Sequence, residues 1–154
     1  MPNLLVVNLH GLINVPMGTR RAIDELCIGK RFSATIVPDD ATTMGTLKLC
    51  KDYVAWAPVD HELLASLLKQ RARISMRKKL DSAALKSLGY KSYEDLASKI
   101  MKEGLRYSSL KKLRPYFALS PPRGGFKRSS RRQYGQGGIL GENPELPGII
   151  KRMI

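Results

Sequence analysis

Histidine and cysteine are scarce in this sequence, with two of each: His10 and His61, Cys27 and Cys50. Two cysteines without close cysteine or histidine partners make neither a zinc site nor a disulfide framework. Both lie among apolar residues in predicted helices and read as buried, reduced thiols of a cytoplasmic protein. The histidines are far apart, and His61 falls in the first turn of a predicted helix. Each reads as a surface or hydrogen-bonding residue rather than a general base. No P-loop, HExxH or GxSxG pattern occurs. Gly135, Gly137, Gly138 and Gly141 do not spell GxGxxG, because Leu140 stands where the last glycine is needed. They also follow no clear strand, so a dinucleotide site is not expected. Asp39 and Asp40 read as a turn rather than a metal site. The chain therefore reads as a non-enzyme that needs no cofactor and takes no small-molecule substrate.

Long apolar runs are missing too: none approaches the ~18 residues of a membrane span. The start, Met1 to Leu4, has no basic stretch leading into an apolar one, so it does not read as a signal peptide. A soluble, intracellular protein is expected. Acidic residues are few, with 13 Asp and Glu against 27 Lys and Arg in 154 residues, a net charge of +14. The imbalance is uneven. Residues 1–60 hold six basic and six acidic side chains, whereas 61–154 hold the other 21 basic and seven acidic ones. Between Gly104 and Gly141 there are nine Lys or Arg and no acid. Self-repulsion on that scale opposes folding unless counter-charge arrives, and nucleic-acid phosphate is the usual source. A membrane surface would prefer a basic amphipathic helix, whereas these cations are mixed with Gly, Pro and Ser.

What is present reads as alternating elements. Leu4–Leu9 is a short apolar run, read as a buried strand. Pro16 can open a helix reaching about Ile28, with Ala22, Ile23, Leu26 and Cys27 on one face and Gly29 as the stop. Ser33–Val37 is a second strand. Thr42 is a plausible cap for a second helix to about Lys51, and Tyr53–Trp56 is a third strand ended by Pro58. The expected fold class is α+β, a small β-α-β-α-β core (a ferredoxin-like half) with helices on one face of the sheet. A helical insertion and an extended basic C-terminal segment follow. The expected boundaries are 1–58 for the core, 59–112 for the insertion and 113–154 for the extension, in one structural domain. In the insertion, Asp60 and Asp81 are candidate caps, and Ser92–Asp95 matches a capping box before Leu96, Ala97, Ile100 and Met101. Leu113–Leu119 is a possible fourth strand. Residues 120–138 are too rich in Gly, Pro and Arg to bury themselves, and a loop of that length is usually functional or disordered. Asn143 and Pro144 announce a last helix with Leu146, Ile149 and Ile150.

The candidate interface lies in the basic segments. Arg123, Lys127, Arg128, Arg131 and Arg132 are interleaved with Gly124, Gly125, Phe126 and Tyr134. Arginine offers a planar fork to phosphate, glycine permits close backbone approach, and aromatics can stack on exposed bases. Arg20 and Arg21 stand near a helix N-terminus, where the macrodipole opposes a cation by roughly 0.3–1 kcal/mol. Asp24 and Glu25 at i+4 offer local pairs in the weaker orientation, so an external phosphate explains the arginines better. Lys30 and Arg31 are read the same way, and Arg114 joins the set. The run Lys69, Arg71, Arg73, Arg77, Lys78 and Lys79 stands at a helix end, where cations are favourable for local reasons. It reads equally as capping or as binding.

Three ordered pieces then resemble one family. Residues 5–16 (LVVNLHGLINVP), with Arg20, Arg21 and Leu26 following, look like the start of the large-ribosomal-subunit L-thirty family, whose eukaryotic members are called L-seven. Residues 43–57 (TMGTLKLCKDYVAWA) resemble its second helix and third strand. Residues 116–127 (YFALSPPRGGFK) resemble the C-terminal extension of its archaeal and eukaryotic members, and 137–141 and 149–154 continue the match. The resemblance implies a β-α-β-α-β core, a helical insertion, and a basic tail that follows rRNA near the 5S region, with neighbouring ribosomal proteins. It carries Arg20, Arg21, Lys30 and Arg31 onto the family's basic surface, and Arg123, Lys127 and Arg128 onto its tail. Ser129 to Arg132 depart from the family's pattern. The alternative is a nucleoid or chromosomal nucleic-acid-binding protein, although no helix-turn-helix or heptad pattern supports it.

Overall fold

The computed structural model describes residues 3–154; Met1 and Pro2, part of the start read above, lie outside the described residues. Strand β1 (Asn3–Asn8) is buried throughout. Its Leu5 and Val7 enter one apolar cluster, and Leu4 and Val6 enter another. A strand without polar alternation is one covered on both faces. β1 pairs antiparallel with β2 (Ser33–Pro38) on one side and β3 (Val54–Pro58) on the other. The connecting helices α1 (Met17–Glu25) and α2 (Ala41–Leu49) set Ile23 and Leu47 against Leu4, Val6 and Trp56.

The two helices of the β-α-β-α-β core lie on one face of the sheet, as expected, and the helical insertion covers the second. Helix α3 (His61–Arg71) buries Leu63, Leu64, Leu67 and Leu68. The short α4 (Ser82–Ser87) buries Leu85, and α5 (Tyr93–Glu103) buries Leu96, Ala97 and Ile100. These join Leu5, Val7 and Ile36 in the larger cluster. Each fully buried Leu or Ile contributes about 1.5–3 kcal/mol, so the insertion supplies much of the core. Asp60 and Asp81 occupy the expected cap positions without a side-chain hydrogen bond. At Ser92 the side chain does cap the helix: its hydroxyl accepts the Asp95 N–H at 3.1 Å.

Several boundaries move for identifiable reasons. α1 ends at Glu25 rather than near Ile28, because Cys27, not Gly29, takes the left-handed turn with φ 60°. Its N–H reaches the Asp24 carbonyl, and the next N–H, of Ile28, reaches back to Ile23. This is a Schellman ending that returns Ile28 to the core. Cys27 is accordingly half-exposed and outside the helix, and only Cys50 is a buried thiol. α2 begins at Ala41, one residue before Thr42, with the extended Asp40 at its N-cap position and no side-chain cap hydrogen bond. The expected strand over 113–119 shrinks to β4 (Phe117–Ala118), which pairs with Ala34 and Ser33 at the sheet edge. The prolines at 115, 121 and 122 have no N–H to donate to a ladder.

The largest correction concerns residues 120–138, expected to lack their own structure. They contain β5 (Ser129–Gln133), and the glycines open β6 (Gly138–Glu142) rather than following no strand. β6 pairs parallel with β3, Ala55 opposite Gly141, and β5 pairs with β6 in a shifted register. The sheet order is β4-β2-β1-β3-β6-β5. Ile139 and Leu140 are buried, and the close approach of Gly138 to the Arg132 backbone leaves no space for a Cβ. The final helix α6 (Leu146–Lys151) buries Leu146 and Ile150. From residue 113 onward the chain thus supplies three strands, β4, β5 and β6, and the expected terminal helix.

Candidate nucleic-acid interface

Arg20 and Arg21 lie exposed on α1, and the local pairing open to them does not form. The ion pairs within 4 Å among the described residues are Lys99–Glu103 and Arg128–Glu145. Two exposed cations in the middle of α1, in no ion pair within 4 Å, leave their charge for something outside the chain.

Lys30 and Arg31 sit on a tightly held turn. Phe32 has φ 60°, a conformation costly for a bulky residue and maintained only where its surroundings impose it. Those surroundings are visible: the Phe32 N–H donates to the Asn8 carbonyl at 2.7 Å, and its carbonyl accepts from Leu119 at 2.9 Å. The Ser33 hydroxyl also donates to the Lys30 carbonyl. Arg31 lies over the Phe32 ring, 4.8 Å from its centroid, while its Nε donates to the Leu9 carbonyl at 3.1 Å. One edge of its guanidinium is spent on this anchoring, and the side chain as a whole stays exposed.

Phe126 of the tail stacks on the other aromatic of this cluster, Phe32, with centroids 6.3 Å apart, and packs against the larger core. Phe126 is half-buried and staples the tail to the 30–32 turn. Arg31 and Phe126 are thus brought together. Tyr134 and Arg128 meet likewise, with the guanidinium 5.1 Å from the ring centroid. Glu145 completes this group, 3.3 Å from Arg128 and accepting a 3.4 Å hydrogen bond from the Tyr134 hydroxyl. Sequence reasoning missed Glu145, which lies just beyond the acid-free window. The pair is half-exposed and worth at most about 1 kcal/mol.

Arg123, Lys127, Arg131 and Arg132 are exposed and unpaired among the described residues. Arg131 and Arg132 stand on β5 at the sheet edge, where charges also discourage strand addition. Arg114 is half-buried; it lies 4.8 Å from the Tyr116 ring centroid and donates to that hydroxyl at 2.6 Å. Arg71, outside the expected set, ties the tail down: its guanidinium donates to the Ser120 hydroxyl at 2.7 Å and the Met153 carbonyl at 3.2 Å. The expected residues do not form one patch. The arginines of α1 belong to the layer that packs Leu4 and Val6, whereas Phe126 packs with the opposite layer.

The histidines have structural surroundings. His61 Nε2 lies 2.9 Å from the Ser98 hydroxyl, linking α3 to α5, and His10 stands edge-on to Tyr53. Among the described residues no group of three or more His, Cys, Asp or Glu could hold a metal ion, and no helix is long and apolar enough to cross a membrane.

No family model matches the chain. Similarity to curated proteins is extensive. The chain is 42% identical over 151 residues to "Large ribosomal subunit protein uL30" of Nitrosopumilus maritimus, covering 98% of this chain and 97% of that one. The chain belongs to the uL30 family. The family's proteins from Cenarchaeum symbiosum and Korarchaeum cryptofilum are 37% and 33% identical, covering 97% and 100% of this chain and 97% and 96% of theirs. The L-thirty resemblance of the three sequence pieces thus extends along nearly the whole uL30 chain. In this setting the acid-free basic stretch belongs to a large-subunit ribosomal protein of archaeal type.

Proposed function

We propose that the chain is a structural, non-catalytic constituent of the large ribosomal subunit, in the cytoplasmic ribosome, that binds rRNA near the 5S region. Its neighbours there are other ribosomal proteins. The contacts come from Arg20, Arg21, Lys30 and Arg31 on the core, and from Arg114, Arg123, Lys127, Arg128, Arg131, Arg132 and Tyr134 toward the C-terminus. The single observation that carries this is a net charge of +14 with two ion pairs among the described residues. Nearly every cation is left for an outside anion, and release of counterions from rRNA phosphates then drives binding. Phe126 holds the tail against the 30–32 turn, so the basic segment is presented in one shape. Recognition is then mainly of RNA shape and backbone. The stretches 1–58, 59–112 and 113–154 act as one unit, a reading supported by the core cluster that mixes Leu5, Leu64 and Ile150.

The test compares the affinity of the full chain for a large-subunit rRNA transcript and for duplex DNA across a salt series. Tighter rRNA binding, weakened by replacing Arg123, Lys127, Arg131 and Arg132 with Gln, is the expected result. Equal affinity for duplex DNA overturns the proposal.

A further inference from the structure

The insertion carries a second basic element that the proposed surface does not use. Residues 72–80 form a hairpin: Ala72 and Leu80, both 2% exposed, seat its base in the core. The Leu80 N–H donates to the Ala72 carbonyl and the Ile74 N–H to the Lys78 carbonyl, each at 3.0 Å, while Arg73 and Lys79 are bridge partners. The tip is closed by Arg73, whose guanidinium donates to the Met76 carbonyl at 2.9 Å, and by the Ser75 hydroxyl, which accepts from the Lys78 N–H. Two further bonds brace it from outside, Arg114 N–H to the Arg73 carbonyl at 2.8 Å and the Tyr93 hydroxyl to the Leu80 carbonyl at 2.7 Å.

This fixed turn presents side chains with no structural duty. Met76, Arg77, Lys78 and Lys79 are all exposed, Met76 by 69%. None of the three cations is in an ion pair among the described residues. The charge is continuous with the tail. Arg71 bridges from the end of α3 to Ser120 and Met153, and burial together with the nearby charges of Arg73 and Arg123 lowers its pKa. Lysine is depleted at protein–protein interfaces, whereas a preformed cationic prong suits the backbone of folded RNA.

We propose that the 73–79 hairpin is a second RNA-binding element, in which Arg77, Lys78 and Lys79 grip the phosphates of an rRNA segment beside the one held by the tail. Met76 at the tip packs against sugars or base edges of that segment. The inference rests on the reading of the chain as an rRNA-binding protein.

Its test uses the full chain and a large-subunit rRNA transcript. Two variants are compared with the parent: Arg77→Gln/Lys78→Gln/Lys79→Gln in the hairpin, and Arg123→Gln/Lys127→Gln/Arg131→Gln/Arg132→Gln in the tail. Each lost phosphate contact lowers the slope of log affinity against log salt by about 0.7–0.9, so the hairpin variant is expected to lose about 2–3 in slope. Hydroxyl-radical footprinting is expected to show protections lost in the hairpin variant that the tail variant keeps. All three changes are on exposed side chains, and an unchanged melting temperature confirms that folding is intact. A hairpin variant with parental slope and footprint, beside a tail variant that loses both, overturns the inference and leaves the rRNA reading standing. If neither variant loses affinity, both fall.

Discussion

Replacing Phe126 with alanine separates a ring that staples the tail from a ring that stacks on RNA. The ring is half-buried, stacked on Phe32 at 6.3 Å and packed against the larger core. Truncating a fully buried Phe costs about 3–5 kcal/mol, so half of that, about 2 kcal/mol, is the expected destabilisation. At about 2–4 °C per kcal/mol for a chain of this length, the melting temperature falls by about 4–8 °C. The assay is thermal and urea denaturation of the RNA-free protein, followed by rRNA binding at a temperature where both forms are folded. Phe126→Leu keeps most of the packing and should recover most of the stability, which a lost base stack would not allow. A Phe126→Ala protein as stable as the parent, yet several-fold weaker on rRNA, would refute the stapling argument and restore the base-stacking role.

Other outcomes follow from the same geometry. Cys27→Gly should stabilise the protein by up to about 1 kcal/mol, because glycine relieves the left-handed φ of 60° at the end of α1; equilibrium denaturation with an unchanged or lower midpoint would count against it. Gly138→Ala should cost at least about 2 kcal/mol, since its Cβ has no room beside the Arg132 backbone; a neutral effect by the same assay would place β5 elsewhere. Burial raises the Cys50 thiol from 9.0 to about 11. The folded state therefore holds that proton more tightly, and stability present below pH 9 declines as pH rises toward 11. Urea midpoints across that range should fall less in Cys50→Ala than in the parent. A thiol reagent should modify half-exposed Cys27 well before Cys50; the reverse order would contradict the burial.

The parts of the fold that could be read from the sequence are those with a local physical cause. Ser92 and Asp95 spell a cap, and the apolar stripe of α3 repeats at helical spacing. The uninterrupted apolar run from Leu4 to Val7 signals a buried strand, because a one-faced strand alternates. β5 could not be read, since Ser129 to Gln133 contains no apolar residue and gains its place only by pairing with β6. β6 was obscured by glycines, although the buried pair Ile139 and Leu140 between them is a weak strand signal. Among the interface residues, charge could be read and partnership could not. Nothing in the linear order tells that Phe126 meets Phe32, that Arg128 meets Glu145, or that Arg71 holds the tail. The hairpin's run of cations was visible, but its rigidity depends on Arg114 and Tyr93, which are distant in sequence.

Sucrose-gradient sedimentation of native cell lysate, with the protein followed by antibody through a high-salt wash, tests the ribosomal role most directly. Co-migration with the large subunit, resisting salt that strips loosely bound proteins, is the result expected of a built-in component held by many phosphate contacts. Migration at the top of the gradient, or with the DNA, would contradict it.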